Sequence, residues 1–236
     1  MTDTAARPPA LTRRRLLFGL GNAAGAGAIS PALAAPVSVD LPSGSENRVS
    51  QVELDRIVAR HQLWLDRKTG GALANFSGRD LSGLKFGRWD LRHASFAGSN
   101  LSGIHATDTR FCYCDFTAAD LSEARTFDCD FRYTRFKRAS LIGAQILDTR
   151  DDWPIPIGDE ELWYCGGGLM DASLEEAHLR YARINVQVTD TWFAYADLRD
   201  TDLREAYGPA HFDNSNLANA ILMPSLLSDN SFELTP

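Results

Sequence analysis

Sulfur and positive charge are both scarce in this chain. Four cysteines in 236 residues are too few for a disulfide scaffold at this size. Lys and Arg number 24 against 31 Asp and Glu, a formal charge of −7. That balance argues against non-specific nucleic-acid binding, which needs an excess of cations along the phosphates. Beyond residue 35 no apolar run is long enough to span a bilayer, which excludes a transmembrane helix there. Also missing are a G-x-S-x-G nucleophile turn, an H-E-x-x-H metal helix and a G-x-x-x-x-G-K-[ST] phosphate loop. The remainder, 44% hydrophobic and 23% charged, is an ordinary soluble composition with enough aliphatic residues to fill a core.

Residues 1–34 read as an address rather than as fold. Thr12-Arg13-Arg14-Arg15-Leu16-Leu17 places cations directly before an uncharged, Gly- and Ala-rich run that ends in Ala32-Leu33-Ala34. A positive start, a moderately apolar middle and a small-x-small site make a cleavable export signal. Its paired Arg13 and Arg14 and weakly hydrophobic middle resemble the twin-arginine type. That resemblance implies export of the folded protein, with Ala32 and Ala34 marking the cleavage site and a periplasmic or secreted location. No cysteine lies near that site, so no stable membrane anchor is expected. The segment is net +3, which leaves the mature chain at −10.

From residue 72 the chain repeats in fives. Large residues are expected at Phe76, Leu81, Phe86, Leu91, Phe96, Leu101, Phe111, Phe116, Leu121, Phe131, Phe136, Leu141 and Ile146; Ala106 and Thr126 fill the two remaining slots. Two positions before most of them stands a small residue, as at Ala74, Ala94, Ser99, Thr109, Cys114, Ala119 and Cys129. The residue between is often Asp or Asn. A helix wants apolar residues every three or four positions and a strand every second one, so neither explains the pattern. A chain that turns around every fifth residue does, because each large side chain then points to one axis. Four sides close a 20-residue square coil, and coils stack at about the 4.8 Å strand spacing. On that register Ala106 stacks beside Thr126. Ile104 fills the small position next to Ala106, a swap that conserves volume.

Units such as Ala119-Asp120-Leu121-Ser122-Glu123 closely resemble the pentapeptide-repeat family pattern A-(D/N)-L-x-x. The resemblance implies an all-β fold, a right-handed quadrilateral β-helix, here with a short N-terminal capping helix. A first block covers 72–146. A second covers 170–236, with slots at Leu174, Leu179, Ile184, Val188, Phe193, Leu198, Leu203, Tyr207, Phe212, Leu217, Leu222, Leu227 and Phe232. Single-residue deletions fall around 184–188 and 203–207.

Ser50-Gln51-Val52-Glu53 is a capping-box sequence that opens a helix over 50–70, with Leu54, Ile57, Val58, Leu63, Trp64 and Leu65 apolar. A solenoid needs its end covered, and this helix suits the first coil. Residues 35–49 read as a tether. The repeat breaks at 147–169, where prolines, glycines and acids indicate a surface loop. Residues 147–176 carry nine acids and one base, net −8, whereas the first repeat block is net +2.

The remaining chemistry is sparse. Cys112 follows a slot and is expected to point outward, with Cys114 and Cys129 inward as fillers rather than metal ligands. His93, His105, His178 and His211 fall at non-core positions without clustering. The loop acids could suit a hard cation, but their spacing is not that of an EF-hand, and a solvated acidic loop is preferred. No catalytic residue, metal site or cofactor is expected. Trp153, Asp159, Glu160, Glu161, Trp163 and Tyr164 are the candidate partner-binding residues, because tryptophan beside polar residues marks recognition surfaces. The function expected is that of a non-catalytic, exported, rigid protein-binding or scaffolding module. Its partner is an unidentified protein or, in a homodimer, a second copy, and not nucleic acid. Two alternatives stand beside it: a DNA mimic shielding a topoisomerase, as some acidic members of the family do, and an enzyme site around 147–169.

Overall fold

The computed structural model describes residues 47–149 and 168–227. The chain winds into a parallel β-solenoid. Seven short strands, β1 (Lys85–Phe86), β2 (His105–Thr107), β3 (Arg125–Phe127), β4 (Gln145–Leu147), β5 (Arg183–Asn185), β6 (Asp202–Leu203) and β7 (Ile221–Leu222), pair in sequence order as one parallel sheet. This is the third of four faces. Single bridges build the others, such as Asn75–Ser95–Asp115–Arg135–Ser173–Trp192–His211 on the first face and Asp90–Arg110–Asp130–Gly168–Gln187–Tyr207 on the fourth.

The pentapeptide makes a coil side for local reasons. Where Asp or Asn stands before a slot, its side chain accepts a hydrogen bond from the backbone N–H two residues on, at 2.9–3.3 Å for Asn75, Asp80, Asp90, Asn100, Asp115, Asp120, Asp130 and Asp197. Such a bond holds a turn without help from another strand. Two residues after the slot the backbone takes a left-handed corner conformation, filled by glycine at Gly103 (φ +64°) but by Glu123 (φ +58°) one coil later. The inward slots and the small residues before them then pack as columns. Phe76, Phe96, Phe116 and Phe136 stack at 5.0, 4.7 and 4.9 Å between ring centres. Ile104 and Ala106 are both buried, and Ala106 pairs with Thr126 as the 20-residue register requires.

Helix α1 (Gln51–Leu65) closes the first coil. The Ser50 hydroxyl accepts from the Glu53 N–H at 3.2 Å, while the Glu53 carboxylate pairs with Arg79 of the coil at 3.0 Å. Leu54 and Val58 are buried; Leu63 and Trp64, expected on the apolar face, are exposed. Their place is taken by His61, fully buried, whose Nδ1 accepts the Ala74 N–H at 3.2 Å. The last residues of the expected tether already belong to the solenoid, since Arg48 bridges Asp80 and Val49 is buried.

The insertion leaves the register intact. Leu147 pairs with Phe127, and Gly168 bridges Asp130. Asp148 and Thr149 are therefore the counterparts of Asp128 and Cys129, and the coil resumes at Gly168. Leu169, which the sequence reading left in the insertion, fills a core slot. The β-bridge from Gln187 to Tyr207 turns Tyr207 outward and puts Gly208 at the slot expected for Tyr207. The later deletion accordingly follows residue 208, because Trp192 bridges His211. In the last described turn Leu226 is buried and Leu227, the expected slot, is only partly so. Phe232 lies outside the described residues.

Candidate functional site

The residues expected to act in export, Arg13, Arg14, Ala32 and Ala34, lie outside the described residues, as do Trp153, Asp159, Glu160, Glu161, Trp163 and Tyr164. What is placed is the mount of the inserted segment. It leaves and re-enters at the corner between the third and fourth faces. On the near side the Thr149 N–H and hydroxyl donate to the Asp128 carboxylate at 2.8 and 2.9 Å. On the far side the Gly168 N–H donates to the Cys129 carbonyl at 3.2 Å.

The charged side chains of the coils mostly serve the coils. Four Asp-x-Arg units clamp themselves: Asp90–Arg92 at 2.9 Å, Asp130–Arg132 at 2.6 Å, Asp197–Arg199 at 2.6 Å and Asp202–Arg204 at 2.9 Å. The bond from Arg199 is the main reason the Asp197 carboxyl is held below its ordinary range. Other pairs join neighbouring coils, such as Arg135–Asp115 at 3.1 Å, Lys137–Glu175 at 2.9 Å and Arg138–Glu176 at 2.6 Å. The last two tie together the coils on either side of the insertion. On the third face the outward row runs Lys85, His105, Arg125, Gln145, Arg183. From Lys85 to Arg183 that row contains no acid.

Three thiols are placed, and none is poised to react. Cys112 takes the outward position expected but is covered there, and burial, helped by Asp130, pushes its thiol up to about 12. Burial likewise raises inward Cys129 to about 12. A buried neutral thiol is neither nucleophile nor metal ligand. Among the described residues no group of three or more His, Cys, Asp or Glu is placed to hold a metal. No described helix is long and apolar enough to cross a membrane.

Aromatic residues at the corners were missed by a reading concerned with inward slots. His93, Tyr113 and Tyr133 stack along one corner at 5.1 and 4.9 Å, and Trp64 of α1 meets His93 edge-on at 6.4 Å. His93 is exposed as expected, yet it is part of this ladder rather than a lone solvated group. Trp192 on the first face stacks on His211 at 4.1 Å. The sequence signal for all of them is an aromatic residue at a position where the repeat accepts anything.

A four-faced parallel coil, held by inward Leu and Phe every fifth residue and by Asx turns at many of its sides, defines the class: a pentapeptide-repeat β-helix. Residues 73–104 and 90–125 match the family model described as pentapeptide repeats (8 copies). No curated protein matches the sequence significantly. Among solved structures it is similar to trypsin-treated QnrB1, a plasmid-mediated fluoroquinolone resistance protein. That match is 18% identical over 64% of this chain and 70% of that one, with a TM-score of 0.38. A pentapeptide repeat protein from the Arabidopsis thaliana thylakoid lumen is 20% identical over 65% and 68%, with a TM-score of 0.28. HetL, involved in heterocyst differentiation regulation in the cyanobacterium Nostoc, is 20% identical over 68% and 87%, with a TM-score of 0.18.

Proposed function

We propose that the mature chain is a non-catalytic binding or scaffolding module, exported folded to the periplasm or beyond, whose coils hold the 150–167 segment toward a protein partner. One observation carries this reading: the coil register passes through the insertion unbroken, with Arg135 bridging Ser173 and Ser140 bridging His178 across it. A segment the coils do not need for pairing is free to serve recognition. Its composition suits that task, since Trp153, Trp163 and Tyr164 supply apolar anchors and the surrounding acids supply steering. The charges of the coils, clamped on one another, leave recognition to the inserted segment in this reading.

The test has two parts. Arg13→Lys combined with Arg14→Lys should strand the precursor in the cytoplasm; undiminished periplasmic yield refutes twin-arginine export. A pull-down from periplasmic extract with the mature chain should recover a partner that is lost when 150–167 is removed. Recovery of the same partner without the segment moves the contact to the coil faces.

A further inference from the structure

The third face is where the clamping of coil charges breaks down. Lys85, His105 and Arg125 are all exposed and lie directly opposite one another, in register across β1, β2 and β3. Like charges stacked in this way repel. Elsewhere on the coils such cations are absorbed by a carboxylate, as in Asp130–Arg132 or Arg135–Asp115. Among the described residues none pairs with the side chain of Lys85 or Arg125. The acids nearby are turned elsewhere: Glu123 lays its carboxylate over Gly143 of the next coil, Asp55 of α1 accepts from Gln51, and Asp108 pairs with Arg88 at 3.1 Å. On a chain that is net acidic, this row is a local reversal of sign that steers an anionic partner to one face.

The row has an apolar neighbour. Two residues further along the same strands stand Thr107, Phe127 and Leu147, and the last two are only partly buried. On the other side Gly83 and Gly103 place no side chain at the corner, and the space beside them is open. The face is therefore a flat strip, cationic along one column and apolar along the next.

Spacing selects the partner. Lys85 and Arg125 are two strand spacings apart, about 9.6 Å. Seven residues of an α-helix advance about 10.5 Å, so acids at i and i+7, with one at i+3 or i+4 between, meet the row one to one. Same-face side chains of an extended strand recur about every 6.7 Å and fall out of step after the first pair. The next helix position points about 100° away, which carries an apolar residue over Phe127 and Leu147.

We propose that the third face, along Lys85, His105 and Arg125, docks an amphipathic helix of a protein partner, with its acidic stripe on that row and its apolar stripe on Phe127 and Leu147. The site lies on the coil and stands independently of the segment at 150–167.

The probe is a fluorescein-labelled synthetic helix about three heptads long, with Glu at i, i+4, i+7 and i+11 of each stretch and Leu one position after each. Fluorescence anisotropy with the mature chain should show binding that weakens as salt is raised. Lys85→Glu combined with Arg125→Glu should weaken it about tenfold or more with Tm little changed, since neither side chain holds the fold. Carbodiimide should join Lys85 to a peptide glutamate. Binding that survives the double variant overturns the proposal. Equal binding of a proline-interrupted peptide of the same composition overturns the helix. Without peptide, a carbodiimide link from Lys85 to Asp159, Glu160 or Glu161 in the monomer overturns it in favour of the chain's own segment; the same link between two chains gives the face to a second copy.

Discussion

Joining Thr149 directly to Gly168, with residues 150–167 removed, should yield a complete coil. The junction would read Leu147-Asp148-Thr149-Gly168-Leu169. In it Asp148 falls on the row of Asp108 and Asp128, and Thr149 on the inward row of Thr109 and Cys129, where small residues are buried. Leu169 already fills the slot after Phe111 and Phe131, and Gly168 already bonds the Cys129 carbonyl. Two effects set the magnitude. Thr149 gives up its bonds to Asp128 and gains a buried site in which Thr109 donates its hydroxyl to the Gly87 carbonyl, a near exchange. The closure entropy of an 18-residue segment is then relieved, about 2.6 kcal/mol from its logarithmic dependence on length. For a domain of this size that raises Tm by about 5–10 °C. Thermal melting followed by circular dichroism reads it directly. A lower Tm, or loss of the β signal, refutes the reasoning and makes the segment a structural plug between two half-solenoids.

The inward register predicts a contrast at adjacent positions: Leu121→Ala should cost about 2–5 kcal/mol. Ser122→Ala should cost only about 0.5–1.5 kcal/mol, for the loss of its hydroxyl contact with Ser140 at 2.8 Å. Equal costs in chemical denaturation place the axis wrongly. His61 should make the cap acid-sensitive. Burial lowers its pKa below the ordinary 6.5, against the opposing pull of Asp90 and with Arg92 and His93 nearby. The folded state therefore binds fewer protons than the unfolded one, and stability present above pH 6.5 is lost as pH falls through and below that value. The Tm difference between neutral and mildly acidic buffer should shrink in His61→Gln; an unchanged difference assigns the sensitivity elsewhere. In a Cys165→Ser background, Cys112, Cys114 and Cys129 should resist alkylation until the chain unfolds, because all three are buried with raised pKa values. Rapid labelling of the native protein contradicts their burial.

The fifth-residue spacing of Leu and Phe was enough to specify the coil, its 20-residue register and even the Ile104–Ala106 exchange, because each pentapeptide forms one side, several of them held by their own Asx bond, and meets only its neighbours. Local rules of that kind are readable without coordinates. The capping helix was readable for the same reason at Ser50, where the cap is local, and misread at Leu63 and Trp64, where burial depends on how the helix rolls onto the coil. His61 was invisible in the sequence because only docking brings it to the Ala74 N–H. Tyr207 shows a similar limit: a tyrosine four residues after Leu203 fits a deletion there, and only pairing with Gln187 reveals that it faces outward with glycine in the slot. Cys112 was placed on the correct side of the strand, but the covering by its neighbours across the stack decided its chemistry. The stack of Trp192 on His211 lies furthest from the sequence. It forms because the two residues become neighbouring rungs of one face.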